Sequence, residues 1–328
     1  MRAPGFWSGG GGIFPLLLSP IAAVYAGATA RRMAAPGWKA PIPVVCCGNA
    51  TAGGAGKTTL AMDIGRRLAR RGVGAQFLLR GYGGAMKGPV RVVETLHSVR
   101  DVGDEALLLA HERPTWVSAD RAAGAQAAVA ARAQAIVMDD GLQNPTLEKD
   151  LSLLTIDGGY GFGNGRVIPS GPLREPVAAA AARCHAAVLI GPDETGALAA
   201  LPPGLRVLRA RLVPGPEAAA LAGRAVMAFC GIANPQKFFA TLTEAGAILA
   251  GRVPFADHYP FDEGDMEALL KEAASLRAMP VTTRKDFVRI PEKFRAAVTV
   301  VTVALEWDES SQIEELLEPL AHGMPLAL

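Results

Sequence analysis

The sequence predicts an α/β fold: a doubly wound, mostly parallel sheet with a second, smaller α/β domain and an N-terminal helical segment. Three observations lead to this prediction. A glycine-rich loop follows a short apolar strand and opens an amphipathic helix near residue 57. Strand and helix patterns then alternate, which is typical of parallel strands joined by crossover helices. The 328 residues are too many for one ordinary core and fit two domains of about 150 residues each.

Composition excludes several classes of protein. Half of the residues are apolar and 20% are charged, so the chain is not disordered. The net charge is +2, from 33 basic and 31 acidic residues, without the basic surplus of a nucleic-acid binder. We therefore expect no nucleic-acid partner. The four cysteines, at positions 46, 47, 184 and 230, lack zinc-site spacing and are predicted to be buried, reduced thiols.

The N-terminal segment is strongly apolar. Residues 13–30 carry no charge, and Arg31 and Arg32 follow directly. Four interpretations compete: a spanning helix weakened by Pro15 and Pro20, a signal peptide, a helix on the cytoplasmic membrane face, and a helix packed on its own domain. The nucleotide-binding motif that comes next argues against export. A helix that spans the bilayer and one that lies on it both remain open.

The loop before the amphipathic helix has the pattern of a phosphate-binding P-loop. Residues 43–47 read as a buried parallel strand, and the helix after the loop ends at Gly72. In a P-loop NTPase-like fold, backbone N–H groups point at the phosphates of ATP, Lys57 reaches the β- and γ-phosphates, and the Thr58 hydroxyl binds Mg²⁺. The predicted nucleotide-binding residues are Thr51, Ala52, Gly53, Gly54, Ala55, Gly56, Lys57 and Thr58.

Strands and helices alternate through the rest of the first domain. An alanine-rich helix is predicted over 121–134, and the predicted strands are 75–79, 115–117, 135–138, 151–156 and 187–190. Ligands of such sheets gather at the carboxyl ends of the strands. Asp139 and Asp140 follow the strand 135–138, as in a Walker B element. Two adjacent carboxylates there would repel one another without a cation, which favours a Mg²⁺ site.

Two other charged pairs are ambiguous when they are considered alone. Asp104 and Glu105 open a helix after Gly103, where N-cap and helix-dipole effects by themselves favour acidic residues. Arg174 and Glu175 would pass for a surface pair. The arginines between 66 and 71 fit either anionic lipid head groups or a solvated helix face.

The character of the sequence changes after two Pro- and Gly-containing stretches, residues 202–204 and 212–216. Predicted strands and helices in this smaller unit are 224–230, 234–245, 248–253, 262–275, 281–283, 298–304 and 310–320. It has no phosphate loop of its own. We therefore divide the chain into an N-terminal membrane-associated segment (1–35), a P-loop domain (36–215) and a smaller α/β domain (216–328), whose last helix is free to dock back on the P-loop domain.

An ordered set of short motifs resembles one family, the tetraacyldisaccharide 4′-kinases of lipid A biosynthesis, over nearly the whole chain. Thr51 is the family's own departure from the strict P-loop, and Asn144 stands where the family usually has His. Besides the P-loop, the matching motifs are Phe6-Trp7, residues 18–25, Arg80-Gly-Tyr-Gly83, Val102-Gly-Asp-Glu105, Asp139-Asp-Gly-Leu-Gln143, Phe162-Gly-Asn-Gly165, Pro169-x-Gly-Pro-Leu-Arg-Glu175, Asp257-His258-Tyr-x-Phe261 and Thr283-x-Lys-Asp286.

The resemblance implies a role for each matching residue. Asp104 would accept the proton of the sugar 4′-hydroxyl, with His258 as its partner in a dyad, and Lys57 would complete the catalytic set. Because His258 lies in the smaller domain, that domain would close the active-site cleft. The implied metal ligands are Thr58, Asp139, Asp140 and Glu175. The implied lining residues are Arg80, Glu105, Gln143 and Arg174.

The resemblance also implies a reaction. ATP would donate its γ-phosphate to the 4′-hydroxyl of a tetraacylated glucosamine disaccharide 1-phosphate, giving lipid IVA for lipopolysaccharide. Each ~12-carbon chain holds such a substrate in the bilayer by roughly 10 kcal/mol. We therefore expect an enzyme at the cytoplasmic face of the inner membrane, peripheral or monotopic, without an obligate protein partner. The alternative is a membrane-associated P-loop ATPase or switch protein that phosphorylates no lipid.

Overall fold

The computed structural model describes residues 4–9 and 12–321. Short 3₁₀ segments cover Gly5–Ser8, Ala197–Ala200 and Pro216–Leu221. The α-helices within the described ranges are α1 Ile13–Leu17, α2 Ser19–Met33, α3 Lys57–Arg70, α4 Val99–Val102, α5 Asp104–Ala110, α6 Arg121–Ala130, α7 Val177–Ala181, α8 Pro235–Glu244, α9 Glu263–Ser275, α10 Arg284–Phe287, α11 Glu292–Arg295 and α12 Ser310–Ala321. The strands are β1 Val44–Gly48, β2 Ala75–Leu79, β3 Val90–Arg91, β4 Thr115–Val117, β5 Ala135–Asp139, β6 Leu151–Asp157, β7 Ala186–Ile190, β8 Arg206–Pro214, β9 Ala225–Cys230, β10 Ile248–Pro254, β11 Met279–Thr283, β12 Thr299–Val301 and β13 Val303–Trp307.

The larger sheet has nine strands in the order β13-β8-β7-β6-β1-β5-β2-β4-β3. Its pairs are parallel except at the two edges, where β3 with β4 and β13 with β8 run antiparallel. Strand β1 lies between β5 and β6 and pairs in parallel with both. The predicted doubly wound, mostly parallel sheet is therefore confirmed. This order brings the carboxyl ends of β1 and β5 side by side, where ligands of such sheets bind.

Helices cover both faces of the larger sheet. Helices α3, α5 and α12 pack on one face, and α6 and α7 pack on the other. Leu60, Ile64 and Leu68 are fully buried at four-residue intervals along α3, which is the spacing of one helix face. Arg70 is exposed on this helix and Arg66 is half-buried, whereas Arg67 is buried.

The smaller sheet contains four parallel strands in the order β10-β9-β11-β12. Helix α8 packs on one face through Phe238, Phe239 and Leu242, and α9 packs on the other through Met266 and Leu269. Asn234 is the N-cap residue of α8, but its side chain makes no capping hydrogen bond. The two sheets therefore have separate cores, and helix α10 beside the smaller sheet contacts helix α5 on the larger one.

The prediction of one strand over 298–304 is wrong. The chain forms β12 against β11 and then β13 against β8, so it crosses from the smaller sheet to the larger one at Thr302. The Thr302 amide and hydroxyl both donate to Glu217 Oε1, which ends pairing within the smaller sheet. Helix α6 is also shorter than predicted, because Arg132 adopts a left-handed φ of 62° just beyond it.

The C-terminal helix α12 docks on α3. Arg67 on α3 pairs with Asp63 at 2.7 Å and also with Glu314 on α12, and Arg71 pairs with Glu314 as well. These carboxylates neutralise part of the arginine cluster between residues 66 and 71, which was one candidate for binding lipid head groups.

The division of the chain at residues 36 and 216 stays a prediction. Residues 1–3, 10–11 and 322–328 of the outer segments lie outside the described residues.

The apolar N-terminal stretch forms two helices, α1 and α2. They are separated at Leu18, and Pro20 lies in the first turn of α2, where its missing N–H is tolerated. Only Ala22 and Thr29 are buried on α2. Within the described ranges, none of the helices has the length and apolarity that crossing a bilayer requires. Membrane association of this segment stays a prediction.

Docking of α12 should contribute measurably to stability. Ile313 on α12 is fully buried in the core beneath α3, so Ile313→Ala removes apolar contacts and leaves a cavity. We expect a loss of about 2–5 kcal/mol in the free energy of unfolding, measured by urea denaturation. The control is Glu315→Ala on the exposed side of the same helix, whose pair with Arg206 should contribute less than about 1 kcal/mol. Equal effects of the two changes would contradict this packing.

Candidate active site

The P-loop joins β1 to α3 through backbone that requires glycine. Gly56 has a φ of 83°, and a Cβ atom there would lie 2.6 Å from Ile190 Cδ1. A side chain at this position would therefore meet both backbone strain and a steric clash. Lys57 is the first residue of α3, so the free N–H groups of the first helical turn face the loop. The arrangement matches an anion site at a helix N-terminus.

A second segment, residues 172–174, holds the first half of this loop. The Ala52 amide donates to the Pro172 carbonyl at 2.7 Å, and the Arg174 amide donates to the Ala50 carbonyl at 2.7 Å. Thr51 is buried between these bonds, and its hydroxyl accepts from the Asn49 side-chain amide at 2.9 Å. The threonine that departs from the strict P-loop pattern therefore has a local structural role.

Lys57 points back along the loop. Its Nζ donates to Asn49 Oδ1 at 3.0 Å and to the Gly53 carbonyl at 3.1 Å, and it lies 3.8 Å from Asp140 Oδ1. Burial lowers the pKa of Lys57, while the charge of Asp140 opposes that shift. The ammonium group is thus held at the mouth of the loop by neutral acceptors and one nearby carboxylate.

Thr58 and Asp139 form the point where the P-loop meets the Walker B strand. The Thr58 hydroxyl donates to Asp139 Oδ2 at 2.7 Å. Asp139 Oδ1 is buried and accepts no hydrogen bond from any described residue. Burial raises the pKa of Asp139 to about 6. Hydroxyl and carboxylate oxygens are the ligands that Mg²⁺ prefers, and a buried carboxylate oxygen without a partner fits a cation site.

Asp140 and Arg174 form an ion pair beside this point. Arg174 Nη1 and Nη2 donate to the two Asp140 oxygens at 2.5 and 2.9 Å. Burial acts to raise the pKa of Asp140, but the charges of Lys57 and Arg174 lower it below the ordinary value. Asp140 has a left-handed φ of 56°, which is uncommon outside glycine and is found at functional sites.

Glu175 lies behind that pair and is almost fully buried. Arg183 Nη2 donates to both of its carboxylate oxygens at 2.7 Å, and Gln143 Nε2 donates to Oε1 at 2.8 Å. Gln143 also donates to the Asn49 carbonyl at 2.9 Å, so Glu175 connects to the P-loop through it. A direct metal contact would require Glu175 to exchange these bonds, and its ligand role stays a prediction.

The predicted dyad is a contact between the two sheets. His258 Nδ1 lies 2.8 Å from Asp104 Oδ2. Asp104 is the first residue of α5, which packs on the larger sheet, and His258 follows β10 of the smaller one. His258 has a left-handed φ of 59°, a second strained position in the site. The exposed Tyr82 ring stands 6.3 Å from the His258 ring, centroid to centroid.

The pKa values of the neighbouring carboxyl groups of Asp104 and Glu105 are shifted in opposite directions. Burial acts to raise the pKa of Asp104, but the His258 hydrogen bond and the charges of Lys285 and Arg289 hold it well below its usual range. The same hydrogen bond raises the pKa of His258. Burial and the adjacent Asp104 raise the pKa of Glu105 to about 7. Two neighbouring carboxyl groups with opposite shifts are typical of acid–base sites.

Sequence reasoning missed two cations at this point. Lys285 Nζ lies 3.1 Å from Glu105 Oε1 and 3.3 Å from His258 Nε2. Arg289 Nε donates to Asp104 Oδ2 at 2.9 Å. The motif Thr283-x-Lys-Asp286 includes Lys285, but it indicated no role for this residue. No sequence pattern indicated Arg289. Glu105 lies 180 positions from Lys285, and Asp104 lies 185 positions from Arg289, so local spacing could not predict these contacts.

The two halves of the site converge on one cleft. The Glu105 carboxylate acts to raise the pKa of Lys57, and the Lys285 charge acts to lower that of Asp139. Arg80, the remaining predicted lining residue, is exposed directly after β2 at the same edge. Gly103, which precedes Asp104, packs against Gly81 and Tyr82 in the loop after β2, so the acid–base pair lies at the same sheet edge as the phosphate-binding loop and the candidate cation site.

Comparison with known proteins gives a consistent result. The family model for tetraacyldisaccharide-1-P 4′-kinase matches residues 14–321. The chain is 56% identical to the tetraacyldisaccharide 4′-kinase of Gluconacetobacter diazotrophicus, over 97% of this chain and 98% of that protein. It is 55% identical to that of Rhodospirillum rubrum, over 98% and 99% of the two chains.

A solved structure has the same fold. The crystal structure of LpxK from Aquifex aeolicus in complex with ATP superposes with a TM-score of 0.76 at 24% identity, over 93% of this chain and 99% of that one. Together with the family model and the two relatives, this similarity confirms the resemblance that the motifs indicated. The chain belongs to the tetraacyldisaccharide-1-P 4′-kinase family.

Proposed function

We propose that the chain transfers the γ-phosphate of ATP to the 4′-hydroxyl of a tetraacylated glucosamine disaccharide 1-phosphate, in the biosynthesis of lipid A. Family membership supports this reaction. The observation that carries it is the Asp104–His258 contact of 2.8 Å, next to Glu105, whose charge acts on Lys57 of the P-loop. A P-loop ATPase that serves only as a switch does not require an aspartate–histidine dyad in that position.

The reaction is an in-line displacement at phosphorus. The 4′-hydroxyl oxygen forms a bond to the γ-phosphorus while the bond from that phosphorus to the β,γ-bridging oxygen breaks and ADP leaves. The hydroxyl proton passes to Asp104. Because the transition state of phosphoryl transfer is loose, positioning of the hydroxyl matters more than the strength of the base. A carboxylate with a lowered pKa is therefore sufficient here.

Groups of the P-loop and of the neighbouring strand end neutralise the charge of the triphosphate. The backbone N–H groups at the start of α3 and the Lys57 ammonium bind the phosphates. Thr58 and Asp139 would hold Mg²⁺, which supplies further positive charge at the phosphate oxygens when bound. Arg174 keeps Asp140 ionised beside them. Closure of the cleft between the two sheets would exclude water and limit wasteful hydrolysis of ATP.

The base role of Asp104 can be tested by Asp104→Asn, which keeps the size of the side chain and removes its charge. We expect kcat to fall by about 10²–10⁴-fold in an assay with radiolabelled ATP, Mg²⁺ and the lipid disaccharide in mixed micelles. Affinity for nucleotide, measured with a fluorescent ATP analogue, should stay near the wild-type value, because Asp104 does not contact the P-loop.

The matched control is Asp101→Asn, three residues earlier, in the capping box of α4. It should keep wild-type kcat. Loss of nucleotide binding in Asp104→Asn would contradict the assigned role. If the wild-type protein hydrolyses ATP but transfers no label to the lipid, the proposal gives way to the alternative, a membrane-associated P-loop ATPase or switch protein.

We further propose that α1 and α2 lie on the cytoplasmic face of the inner membrane. Their large apolar side chains project into solvent: Ile13, Phe14, Leu16, Leu17, Ile21 and Val24 are each 58–74% exposed. Exposed Arg31 and Arg32 follow at the end of α2, where they can meet lipid phosphates. An exposed apolar segment followed by arginines can bind a bilayer interface without spanning it.

Contacts to the rest of the molecule hold this segment beside the cleft. Trp7 Nε1 donates to the Pro169 carbonyl at 3.1 Å, and the Asn164 side-chain amide donates to the Phe6 carbonyl at 3.0 Å. Ala26 and Ala30 of α2 line a groove together with Glu175 and Arg183. A lipid disaccharide could thus present its sugar to the cleft while its acyl chains remain in the bilayer.

Membrane binding can be tested with the double variant Ile21→Glu/Val24→Glu. We expect at least about a tenfold loss of binding to phosphatidylethanolamine–phosphatidylglycerol vesicles in a flotation assay, because each buried side chain contributes about 1.5–3 kcal/mol. The control is Leu96→Glu, an equally exposed leucine outside this segment. Equal losses in the two variants, or none in either, would contradict the proposed contact.

A further inference from the structure

Arg289 is a buried arginine without a role in the reaction described so far. It lies in the turn after α10, and its side chain is only 2% exposed. All three guanidinium nitrogens are engaged. Nη1 donates to the Gly231 carbonyl at 2.9 Å and to Asp286 Oδ1 at 3.0 Å, while Nε and Nη2 both donate to Asp104 Oδ2. Arg289 therefore connects the end of β9 and helix α10 to the proposed base.

The groups that bind Arg289 from behind, Asp286 and Gly231, are themselves held by hydrogen bonds. Asp286 is fully buried, accepts from the Gly231 amide at 2.9 Å, and also accepts from the Thr283 hydroxyl at 2.6 Å. Gly231 follows β9, and Thr283 ends β11. The guanidinium plane is thus fixed from behind by backbone and by a buried carboxylate. A cation held in this way can set the orientation of the group in front of it.

The hydrogen bonds of Asp104 are distributed unequally between its two oxygens. Oδ2 takes three donors: two from Arg289 and one from His258 Nδ1. Oδ1 accepts one bond from the adjacent Glu105 amide at 3.1 Å, and the Glu105 side chain also forms a hydrogen bond with the Asp104 carboxyl group. The carboxylate is therefore held mainly by one oxygen, and the other retains a lone pair to accept a proton.

We propose that Arg289 is the positioning residue of the reaction: by binding Asp104 Oδ2 at two points, it holds this carboxylate ionised and presents Oδ1 to the acceptor hydroxyl. This inference rests on the proposed function. Arg289 does not touch the reacting atoms and acts through Asp104 alone.

The other charged groups near Asp104 cannot replace Arg289. Lys285 is 4.0 Å away and is shared with Glu105, which follows Asp104 on α5. His258 titrates, and it also faces Asp257 in its own loop at 3.7 Å. Arg289 is the member of this set that donates two hydrogen bonds to Asp104. Its neighbour Asp286 is already bound to Thr283 and Gly231.

The test is the pH profile of Arg289→Met, a neutral side chain of similar length. Without the cation, the Asp104 carboxylate is less stable, so protonation should inactivate the enzyme at higher pH. We expect the acid limb of kcat/KM to move up by about one pH unit or more, and kcat at neutral pH to fall about tenfold or more. Arg289→Lys keeps the charge but loses the two-point contact, so its acid limb should stay near wild type while kcat falls.

The matched control is Arg67→Met. Arg67 is comparably buried and pairs with two carboxylates on α3 and α12, away from the cleft. Its loss should lower the melting temperature without moving the acid limb. An Arg289→Met variant that merely melts earlier, with an unshifted acid limb, would overturn the inference.

A double-mutant cycle covers the case in which Arg289→Met folds poorly. The pair Asp104→Asn/Arg289→Met contains neither buried charge and should fold at least as well as Arg289→Met. If Arg289 acts through Asp104, the double variant should be no slower than Asp104→Asn alone. Additive losses would overturn the inference. Wild-type transfer to lipid in the same assay separates this outcome from failure of the proposed function itself.

Discussion

The buried carboxylate of Asp104 is the interaction on which the site depends. A charge taken out of water must be paired, and among the described residues the cations that pair with Asp104 come from helix α10 and from the loops beside the smaller sheet. Arg289 binds it from the turn after α10, His258 from the loop after β10, and Lys285 from α10 itself. The contacts that hold the two sheets against each other are therefore also the contacts that set the orientation and charge of the base. The Asp104 carboxylate therefore contributes both to the contact between the two parts of the molecule and to the proposed chemistry.

The phosphate side of the cleft is organised by a second long-range contact. Residues 172–174 bind the backbone of the P-loop at Ala50 and Ala52, and the Arg174 side chain binds Asp140 at the end of the neighbouring strand. One short segment thus fixes the loop and the Walker B carboxylate relative to each other. Preorganisation of this kind matters for phosphoryl transfer, because most of the rate comes from holding charges in place.

The position of the N-terminal helices relates this cleft to its substrate. They leave large apolar side chains in solvent on one side and line a groove with Glu175 and Arg183 on the other. Since transfer of a single acyl chain from lipid to water costs roughly 10 kcal/mol, a kinase for a tetraacylated sugar has to work at the bilayer surface. An apolar segment bordering the cleft allows the nucleotide to arrive from water and the sugar from the interface.

The sequence by itself determined the parallel sheet, the P-loop and the Walker B carboxylates, because strand periodicity, glycine spacing and strand-end acids are local properties of the chain. The ordered motifs added the dyad through family resemblance. Only the tertiary structure decided that residues 298–304 divide between two sheets, that Glu175 pairs with Arg183, and that Arg289 binds Asp104. Each of these depends on which groups lie within hydrogen-bond distance after folding. A buried charge pairs with a group that lies close to it in the folded structure, and such pairs can be far apart in the sequence, where no periodic pattern indicates them.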